Sequence, residues 1–453
     1  MKIAVLIKYY KGEINPFDAA ALECALESGA EVTALSMAPA SVAPSLENLT
    51  RLGIKAVLIT DPAYAGGDTQ ATSYVLSEAL KRLDPDLIFA GRQSIDGDTS
   101  QVPPMLAERL GCGITVGVME FDGEKITTRS NKSETLSEKT VYTFERIRAL
   151  RFPSIFSKKG TVEIWDNDAL KLDTKKCGIK GSPTRVIRSY ESSVGRRSCR
   201  FASPDELEAL ISKSMTKSID KNSDETVAKT DRIYYVGDIG DIARKFAFEA
   251  VSYDASGKDA RKVAEELSGL GAKVVLFESN EEYKTLAARV AVICGSGLCA
   301  DCISFRQEKN TFIMTRPALD GGVTADIACD SKMSLATVRK SGSADGELIF
   351  AIGRGAVPYI EKIRALAKKY HAQLAATRTV VDSGDMPYEY QVGLTGKTVS
   401  PKVYVAFGIS GAVQHTSAIS GAGTVIAVNT DKDARIFDYA DYGIIEEIEN
   451  VRL

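Results

Sequence analysis

Short apolar runs alternate with amphipathic helical patterns over the amino-terminal quarter of the chain, and this alternation constrains the fold more than any other feature. Each apolar run has strand length and is followed by a helical pattern before the next run begins. A strand that returns to its sheet through a helix runs parallel to its predecessor, so the pattern predicts a parallel sheet with helices on both faces. The predicted strands are Lys2–Ile7, Glu31–Ser36, Ala56–Thr60 and Asp86–Ala90, and the predicted helices lie near Phe17–Ser28, Ser45–Leu52, Thr69–Leu83 and Val102–Leu110.

The same alternation returns further along the chain. After a hairpin predicted at Asp122-Gly123 and a polar stretch over 165–230, a second α/β unit starts with the strand 232–236, and a third starts with Glu347–Ile352. The sequence "MLAERLGCGITV" resembles the later "LAARVAVICGSGLCAD", and each follows a helical pattern. Two related α/β units in one chain are therefore expected.

Composition limits the classes of function. Lysine and arginine number 57 against 60 acidic residues, which gives a net charge of −3 and no basic footprint for nucleic acid. The apolar run Ile3–Ile7 has the length of a strand and is too short for a secretory signal, and no run reaches the ~18 residues that a membrane-spanning helix needs. The 8 cysteines then indicate reduced thiols, so a cytoplasmic protein is expected.

A polar loop, "GRQSIDGDTSQVPPMLAERLG", joins a predicted strand to a helix at residues 91–111. Free backbone N–H groups and the positive end of a helix suit a phosphate. Thr99 and Ser100 supply hydroxyl donors, whereas Asp96 and Asp98 would repel a phosphate and are expected to bind ribose or fix the loop. "AYAGGDTQATS" repeats the Gly-Asp-Thr arrangement after the preceding strand. The alternatives are a nucleotide site and an ordinary capped helix. Asn15 is likewise expected to cap the helix that follows it.

Two glycine-rich turns follow strands in the carboxyl-terminal part. "FAIGRGAVP" places Arg354 between two glycines, where the backbone can approach a pyrophosphate, although the third glycine of a dinucleotide fingerprint is missing. "FGISGAVQH" is followed by a strand ending at Asn429. With Ser410, Gln414 and His415, that asparagine forms a set of hydrogen-bonding groups that suits a flat heterocycle. The alternative is a packed histidine in a turn.

Cysteine spacing offers one competing interpretation. Cys294, Cys299 and Cys302 are spaced as in a plant-type iron–sulfur site, and Cys329 would be a fourth ligand. The surrounding segment looks helical and apolar, so these cysteines are expected to pack as small hydrophobic residues, and no metal site is expected.

Taken together, these motifs resemble the electron transfer flavoproteins, with a beta-like part followed by an alpha-like part in one chain. "INPFDAAALECAL", "AGGDTQATS", "GRQSIDGDTSQVPPMLAERLG", "RFPSI" and "GIKGSPTRV" carry the beta resemblance. "GLCADC", "TRPALDGG", "LATVRKSG" and the long "QVGLTGKTVSPKVYVAFGISGAVQHTSA" carry the alpha resemblance.

The resemblance implies an α/β fold with two related parallel-sheet domains of the adenine-nucleotide-hydrolase type and a doubly wound FAD-binding domain. The predicted domains are a beta-like nucleotide-binding domain with an arm over 1–212, a linker over 213–230, a shortened first alpha domain over 231–344 and the FAD domain over 345–453. It also implies a carrier that moves electrons from dehydrogenases, such as acyl-CoA dehydrogenases, to an acceptor protein without substrate chemistry of its own. The alternatives are an NADH-linked bifurcating flavoprotein and an adenine-nucleotide-binding regulatory protein.

The resemblance further implies one FAD in the alpha-like site and a second FAD or AMP in the beta-like site. Arg354 is expected at the FAD phosphates, Arg378 beside the isoalloxazine, Thr395 near N5 and His415 at the C2 carbonyl. Asn429 and Asp441 are expected on the ribose and adenine side. The other residues expected around FAD are Thr377, Gln391, Val392, Gly393, Gly396, Ser410, Gly411 and Gln414. Those expected in the beta-like site are Asp68, Thr69, Asp96, Gly97, Asp98, Thr99, Ser100 and Gln101.

Overall fold

The computed structural model describes residues 1–191, 196–216, 228–309, 311–318, 323–338, 347–393, 396–397 and 399–451. The chain divides into two compact units. The first consists of Met1–Ser189, Val227–Leu319 and Ala325–Val338, and the second consists of Tyr190–Thr226, Asp320–Thr324 and Arg339–Leu453. Of the predicted linker, 213–216 end a helix and 217–227 lie outside the described residues.

The first unit contains the predicted parallel sheet. Its first strand in the chain, Lys2–Leu6, lies inside the sheet and pairs in parallel with Glu31–Met37 on one side and with Leu87–Gly91 on the other. Successive strands are therefore added first on one side of this strand and then on the other. The carboxyl edge next to it is a topological switch point. The strand order across the nine-stranded sheet is Val162–Trp165, Lys55–Ile59, Glu31–Met37, Lys2–Leu6, Leu87–Gly91, Thr140–Phe144, Gly113–Phe121, Lys125–Thr128 and Ser133–Thr135.

Two more sheets and a short hairpin complete the strands of this part of the chain. A five-stranded parallel sheet has the order Ala247–Ser252, Thr230–Val236, Val274–Glu278, Ser334–Val338 and Gly297–Cys302. A four-stranded sheet has the order Thr184–Glu191, Val323–Cys329, Thr311–Ala318 and Ser304–Glu308, and the hairpin pairs Tyr9–Tyr10 with Glu13–Ile14. Cys299 and Cys302 lie buried in a strand rather than in the predicted helix, and no group of potential metal ligands occurs among the described residues.

The second unit has one six-stranded sheet with the order Arg200–Phe201, Tyr442–Ile445, Thr424–Asn429, Val403–Phe407, Leu348–Ile352 and Gln373–Ala376. Phe350, Val405 and Ile426 are fully buried in neighbouring strands, which accounts for their continuous apolar sequences. The strand Leu348–Ile352 pairs with Gln373–Ala376 and with Val403–Phe407, so this sheet also has a switch point.

Helices connect these strands, and none in the described part of the chain is both long and apolar enough to cross a membrane. The helix Thr69–Leu83 begins at the cap Asp68, whose carboxylate accepts the N–H of Ala71 at 3.0 Å, a contact worth about 1 kcal/mol. The other α-helices are Pro16–Glu27, Ala43–Leu49, Val102–Leu110, Asn167–Leu170, Leu207–Thr216, Gly240–Phe246, Ala260–Gly269, Glu281–Cys294, Ile360–Lys369, Arg378–Asp382 and Val413–Thr416. The 3₁₀ helices are Ala40–Val42, Thr50–Leu52, Pro62–Tyr64, Thr174–Lys176, Gly178–Gly181, Pro204–Glu206, Arg354–Tyr359, Tyr388–Tyr390, Ser417–Ile419 and Arg435–Tyr439.

Candidate functional site

The second unit brings several predicted residues to one edge of its sheet. Ile352 is in register with both Ala376 and Phe407, and Phe407 is in register with Val428. Because the strands are parallel, the residues after these positions meet at the carboxyl edge. Ligands of doubly wound folds bind at that edge, next to the switch point.

Two glycine turns interlock at this switch point. A Cβ on Gly353 would lie 2.3 Å from the carbonyl oxygen of Gly408. Gly408 has a φ of 59°, and a Cβ there would lie 2.5 Å from the main-chain nitrogen of Ala356. Only glycine allows both the backbone conformation and the close approach. The turn after Leu348–Ile352 and the turn after Val403–Phe407 therefore form a single rigid base.

Residues at the starts of two helices flank this base. Arg354 is exposed at the start of a 3₁₀ helix. Thr377 caps the next helix through its main chain, and its N–H donates to the carbonyl of Ile352 at 2.9 Å. Arg378 lies in the first turn of that helix, where its Nε contacts the carboxylate of Asp382 at 3.3 Å. All three residues that sequence reasoning predicted here lie at the same edge of the sheet.

The turn at 391–397, of which 391–393 and 396–397 are described, lies beside the end of the strand Gln373–Ala376. Gln391 is buried, and the N–H of Val392 donates to the carbonyl of Ala376 at 2.9 Å. Gly393 has a φ of 151°, and a Cβ on Gly396 would lie 2.2 Å from the carbonyl oxygen of Gln391. Thr395, predicted near flavin N5, lies outside the described residues.

His415 is buried behind this turn, and both of its ring nitrogens are engaged. Nδ1 is 3.0 Å from the carbonyl oxygen of Val392, which can only accept, so Nδ1 carries the proton. Nε2 is 2.8 Å from the hydroxyl of Tyr404 and therefore accepts from it. Burial lowers the pKa of His415 from 6.5 to about 4, against the opposing effect of the Val392 carbonyl. In this arrangement a neutral His415 braces the turn, and the predicted donation to a flavin carbonyl would require Nε2 to carry the proton instead.

Small polar residues lie beside the glycine base. Ser410 and Gln414 are exposed, and a Cβ on Gly411 would lie 2.1 Å from the main-chain nitrogen of Ile436. Asn429 ends its strand, and its amide donates to the carbonyl of Ile409 at 2.9 Å. The serine, the glutamine and the asparagine therefore occupy the predicted edge.

Asp441 is the exception and corrects the prediction that grouped it with Asn429. It precedes the strand Tyr442–Ile445, whose first residue is in register with Ile426, so Asp441 lies at the opposite, amino edge. Its carboxylate accepts the N–H of Val425 at 2.8 Å and a hydrogen bond from Arg197. The acidic residue that sheet register brings beside Asn429 is Glu446, whose N–H donates to the Asn429 carbonyl at 3.2 Å.

The first unit has a cavity of about 210 Å³ at its own switch point. Its lining includes Lys8, Asn15, Met37, Gly91 and Thr99, which come from the carboxyl ends of neighbouring parallel strands and from the loop before the helix Val102–Leu110. The cavity therefore lies where the sequence predicted a nucleotide.

Most of the predicted loop is fixed by its own polar contacts. The ammonium of Lys8 lies 2.8 Å from the carboxylate of Asp96. Burial favours a higher pKa for Asp96, but the hydrogen bond and charge of Lys8 lower it overall. Asp98 accepts a side-chain hydrogen bond from Gln93, and Ser100 contacts Gln93 at 3.4 Å. Both aspartates therefore fix the loop, as one of the two sequence alternatives expected.

Three of the residues predicted for the nucleotide site make structural contacts with other parts of the protein. Asp68 caps its helix and also accepts the hydroxyl of Thr184 at 2.7 Å. Thr69 donates to the side-chain oxygen of Gln101 at 2.8 Å, and the amide of Gln101 donates to the carbonyl of Leu298 at 3.3 Å. Of these three, only Gln101 lines the cavity.

Asn15 is a cavity residue that sequence reasoning assigned to another role. It occupies the cap position, and its carbonyl accepts the N–H of Ala19 at 2.9 Å, but its side chain makes no capping hydrogen bond. Its amide nitrogen donates to the carbonyl of Gln93 at 2.9 Å, while its Oδ1 is buried without a partner among the described residues. A buried, unsatisfied acceptor on a cavity wall points to a ligand donor. The carboxylate of the nearby Asp18 accepts hydrogen bonds from the main-chain N–H groups of Lys8 and Gly91 at 2.8 and 3.1 Å. Burial raises the pKa of Asp18 to about 7.

The nine-stranded sheet of the first unit and the six-stranded sheet of the second both belong to α/β layers, and each has polar residues at the carboxyl edge beside its switch point. The family model described as the electron transfer flavoprotein domain matches residues 3–146 and 243–365, and the model of the electron transfer flavoprotein FAD-binding domain matches residues 344–420. The chain belongs to the electron transfer flavoprotein family. The second unit fits the FAD that this domain type binds, because interlocked glycines, exposed hydroxyl and amide groups and the starts of two helices lie at one edge of its sheet.

Relatives of both subunits match the chain. It is 38% identical over 198 residues to the electron transfer flavoprotein subunit beta of Clostridium acetobutylicum, which covers 40% of this chain and 76% of that protein. It is 37% identical over 206 residues to Protein FixA of Azorhizobium caulinodans, covering 40% and 73%. It is 32% identical over 238 residues to the subunit alpha of Thermoanaerobacterium thermosaccharolyticum, covering 42% and 72%. Beta-subunit relatives match the first half and alpha-subunit relatives a later part, as in a fused beta–alpha chain.

Proposed function

We propose that this protein is an electron carrier that accepts electrons from a flavin dehydrogenase of the acyl-CoA dehydrogenase type and passes them to an acceptor protein. The observation that carries the proposal is the interlocked edge formed by Gly353 and Gly408, in the region that matches the FAD-binding domain. Bound FAD supplies reversible uptake and release of electrons. The chain's own residues hold and orient that group: Arg354 is assigned to the phosphates, Arg378 to the ring side and Asn429 to the ribose.

A second adenine nucleotide is proposed for the cavity of the first unit. The unpartnered Oδ1 of Asn15 suits an N–H donor, and the loop of Thr99 and Ser100 suits a phosphate. AMP and the AMP half of FAD share this chemistry. A second FAD would favour the alternative of a bifurcating flavoprotein that also uses NADH.

A docking surface for the donor is proposed on the loop around Pro153. Phe152, Ile155 and Phe156 are 95%, 84% and 87% exposed. The side chain of Arg51 donates to the carbonyls of Ser154 and Ser157 at 3.0 and 3.3 Å, so the loop presents these side chains from a fixed base. Large apolar side chains grouped at the surface are typical of a protein–protein contact.

One experiment separates the proposed functions. The purified chain is denatured, and the released FAD and AMP are counted per chain after its visible spectrum is recorded. One FAD and one AMP support the electron carrier. Two FAD support the bifurcating alternative. A colourless protein that releases only adenine nucleotide contradicts the flavoprotein proposal and favours the regulatory one.

A further inference from the structure

A buried arginine from the later half of the chain contacts the loop that lines the first unit's cavity. Arg316 lies in the strand Thr311–Ala318 and is only 9% exposed. It donates to the carbonyl of Ala300 at 2.9 Å, to that of Gly97 at 3.0 Å and to that of Asp98 at 3.4 Å. One rigid guanidinium therefore joins a strand of the later half to two successive peptide groups of the loop.

Those peptide groups belong to a segment with unfavourable backbone angles. Asp98 and Ser100 have φ values of 55° and 56°, in the left-handed region that residues with a Cβ rarely adopt. Such conformations persist only where surrounding contacts hold them. The hydrogen bonds from Arg316 are two of these contacts, and the N–H of Asp98, which donates to the carbonyl of Ser94 at 2.9 Å, makes another.

The direction of the Asp98 carbonyl determines where the next N–H group points. In a planar trans peptide the C=O and the following N–H point in opposite directions. Because the Asp98 carbonyl faces Arg316, the N–H of Thr99 faces away from it. Thr99 and Ser100 line the cavity and Arg316 does not. Neither main-chain N–H of these two residues has an acceptor among the described parts of the chain.

We propose that Arg316 is a positioning residue: from the alpha-like half, it orients the loop 97–100 so that the amide groups of Thr99 and Ser100 face the phosphate of the nucleotide in the beta-like site. The inference rests on the nucleotide proposed for this cavity. Successive N–H groups turned to one side form a concave anion site. Arg316 itself does not touch the nucleotide, so its effect is confined to the phosphate end.

The test compares AMP with adenosine, which lacks the phosphate. Full-length wild type, Arg316→Ala and Arg316→Lys are stripped of loosely bound nucleotide, and the binding of each compound is measured by equilibrium dialysis. Arg306→Ala is the matched control, because Arg306 lies on the neighbouring strand and contacts Asp326 and Glu308 at 2.9 and 2.6 Å without touching the loop. We expect AMP binding by Arg316→Ala to weaken at least tenfold, with adenosine binding within twofold of wild type, FAD content unchanged and Arg306→Ala like wild type. Arg316→Lys should also lose AMP binding, because a single ammonium cannot span the three carbonyls, but the loss should be smaller than in Arg316→Ala.

Unchanged AMP binding by Arg316→Ala would overturn the positioning role. Equal weakening of AMP and adenosine, or an equal loss in Arg306→Ala, would also overturn it, because the effect would then be general loosening. If Arg316→Ala does not fold, the same comparison is made with Arg316→Lys, where selective loss of AMP supports the role and its absence refutes it. If wild type binds neither compound and releases no second nucleotide, the proposed nucleotide site itself fails, a result distinct from the others.

Discussion

Replacing Tyr404 with phenylalanine tests the state assigned to His415. In the structure the Tyr404 hydroxyl donates to unprotonated Nε2 at 2.8 Å, and Nδ1–H donates to the Val392 carbonyl at 3.0 Å. The pKa of about 4, against an ordinary value of 6.5, means that burial disfavours the charged form by roughly 3 kcal/mol at about 1.4 kcal/mol per pH unit. His415 is therefore neutral at pH 7. Its contribution to stability is fully present above pH 6.5 and is lost as the pH falls through about 4.

Removing the hydroxyl removes a hydrogen bond that only the neutral ring accepts. A bond of this kind contributes about 1 kcal/mol net, so Tyr404→Phe should raise the pKa of His415 by roughly 0.7, still well below its ordinary value. The protein has only 2 histidines, so ¹⁵N-histidine NMR of the FAD-loaded chain resolves both, and a His371→Gln variant assigns them. The ¹⁵N shifts report the tautomer, and a pH titration reports the pKa.

The expected spectrum shows the Nδ1–H tautomer at pH 7 in both proteins. An Nε2–H tautomer in the FAD-loaded wild type would refute the bracing role and support donation from His415 to the flavin carbonyl. A charged ring at pH 7 would refute burial as the cause of the low pKa, and a pKa that falls in Tyr404→Phe would refute the assignment of the tyrosine as the donor to Nε2.

Two further substitutions test the electron-carrier proposal. Gly408→Ala should abolish FAD retention, because the added Cβ would lie 2.5 Å from the Ala356 nitrogen at a φ of 59°. The visible spectrum measures the FAD content. A normal FAD content would contradict the rigid-base argument. Phe152→Ala should lower kcat/KM for reduction by an acyl-CoA dehydrogenase about tenfold, the scale of one interface anchor, with FAD content unchanged. Phe248→Ala, which removes a ring that is 79% exposed elsewhere, is the control, and equal effects of the two changes would count against the docking loop.

Local patterns predicted the fold well because the signals of helices and strands are themselves local. The helices Thr69–Leu83 and Val102–Leu110 begin and end where the apolar periodicity and the flanking polar residues predicted. The hairpin at Asp122-Gly123 is also present, between the strands Gly113–Phe121 and Lys125–Thr128. Strand ends differ by a residue or two because pairing with neighbours, which the sequence does not display, decides the last hydrogen bond.

The candidate sites were predictable only in part because register and distant contacts decide the rest. Ser410 follows a strand and Asn429 ends one, so position in the chain predicted their edge. Asp441 precedes a strand, and only the pairing of Ile426 with Tyr442 reveals that it lies at the opposite edge. Asn15 fits the local pattern of a helix cap, yet its amide donates to Gln93, 78 residues away. For such residues, a motif identifies the neighbourhood and the tertiary fold decides the partner.

The first unit also gives a physical reason for carrying both halves in one chain. The loop that lines its cavity comes from the beta-like half. Arg316, which contacts that loop, and the Leu298 carbonyl, which contacts the start of the helix beside it, come from the alpha-like half. Gln70 adds hydrogen bonds of 2.6 and 2.8 Å to the carbonyls of Ala291 and Ser296. In separate subunits these contacts would form only on association. Within one chain they become intramolecular, so the two halves meet at a high effective concentration that does not depend on dilution.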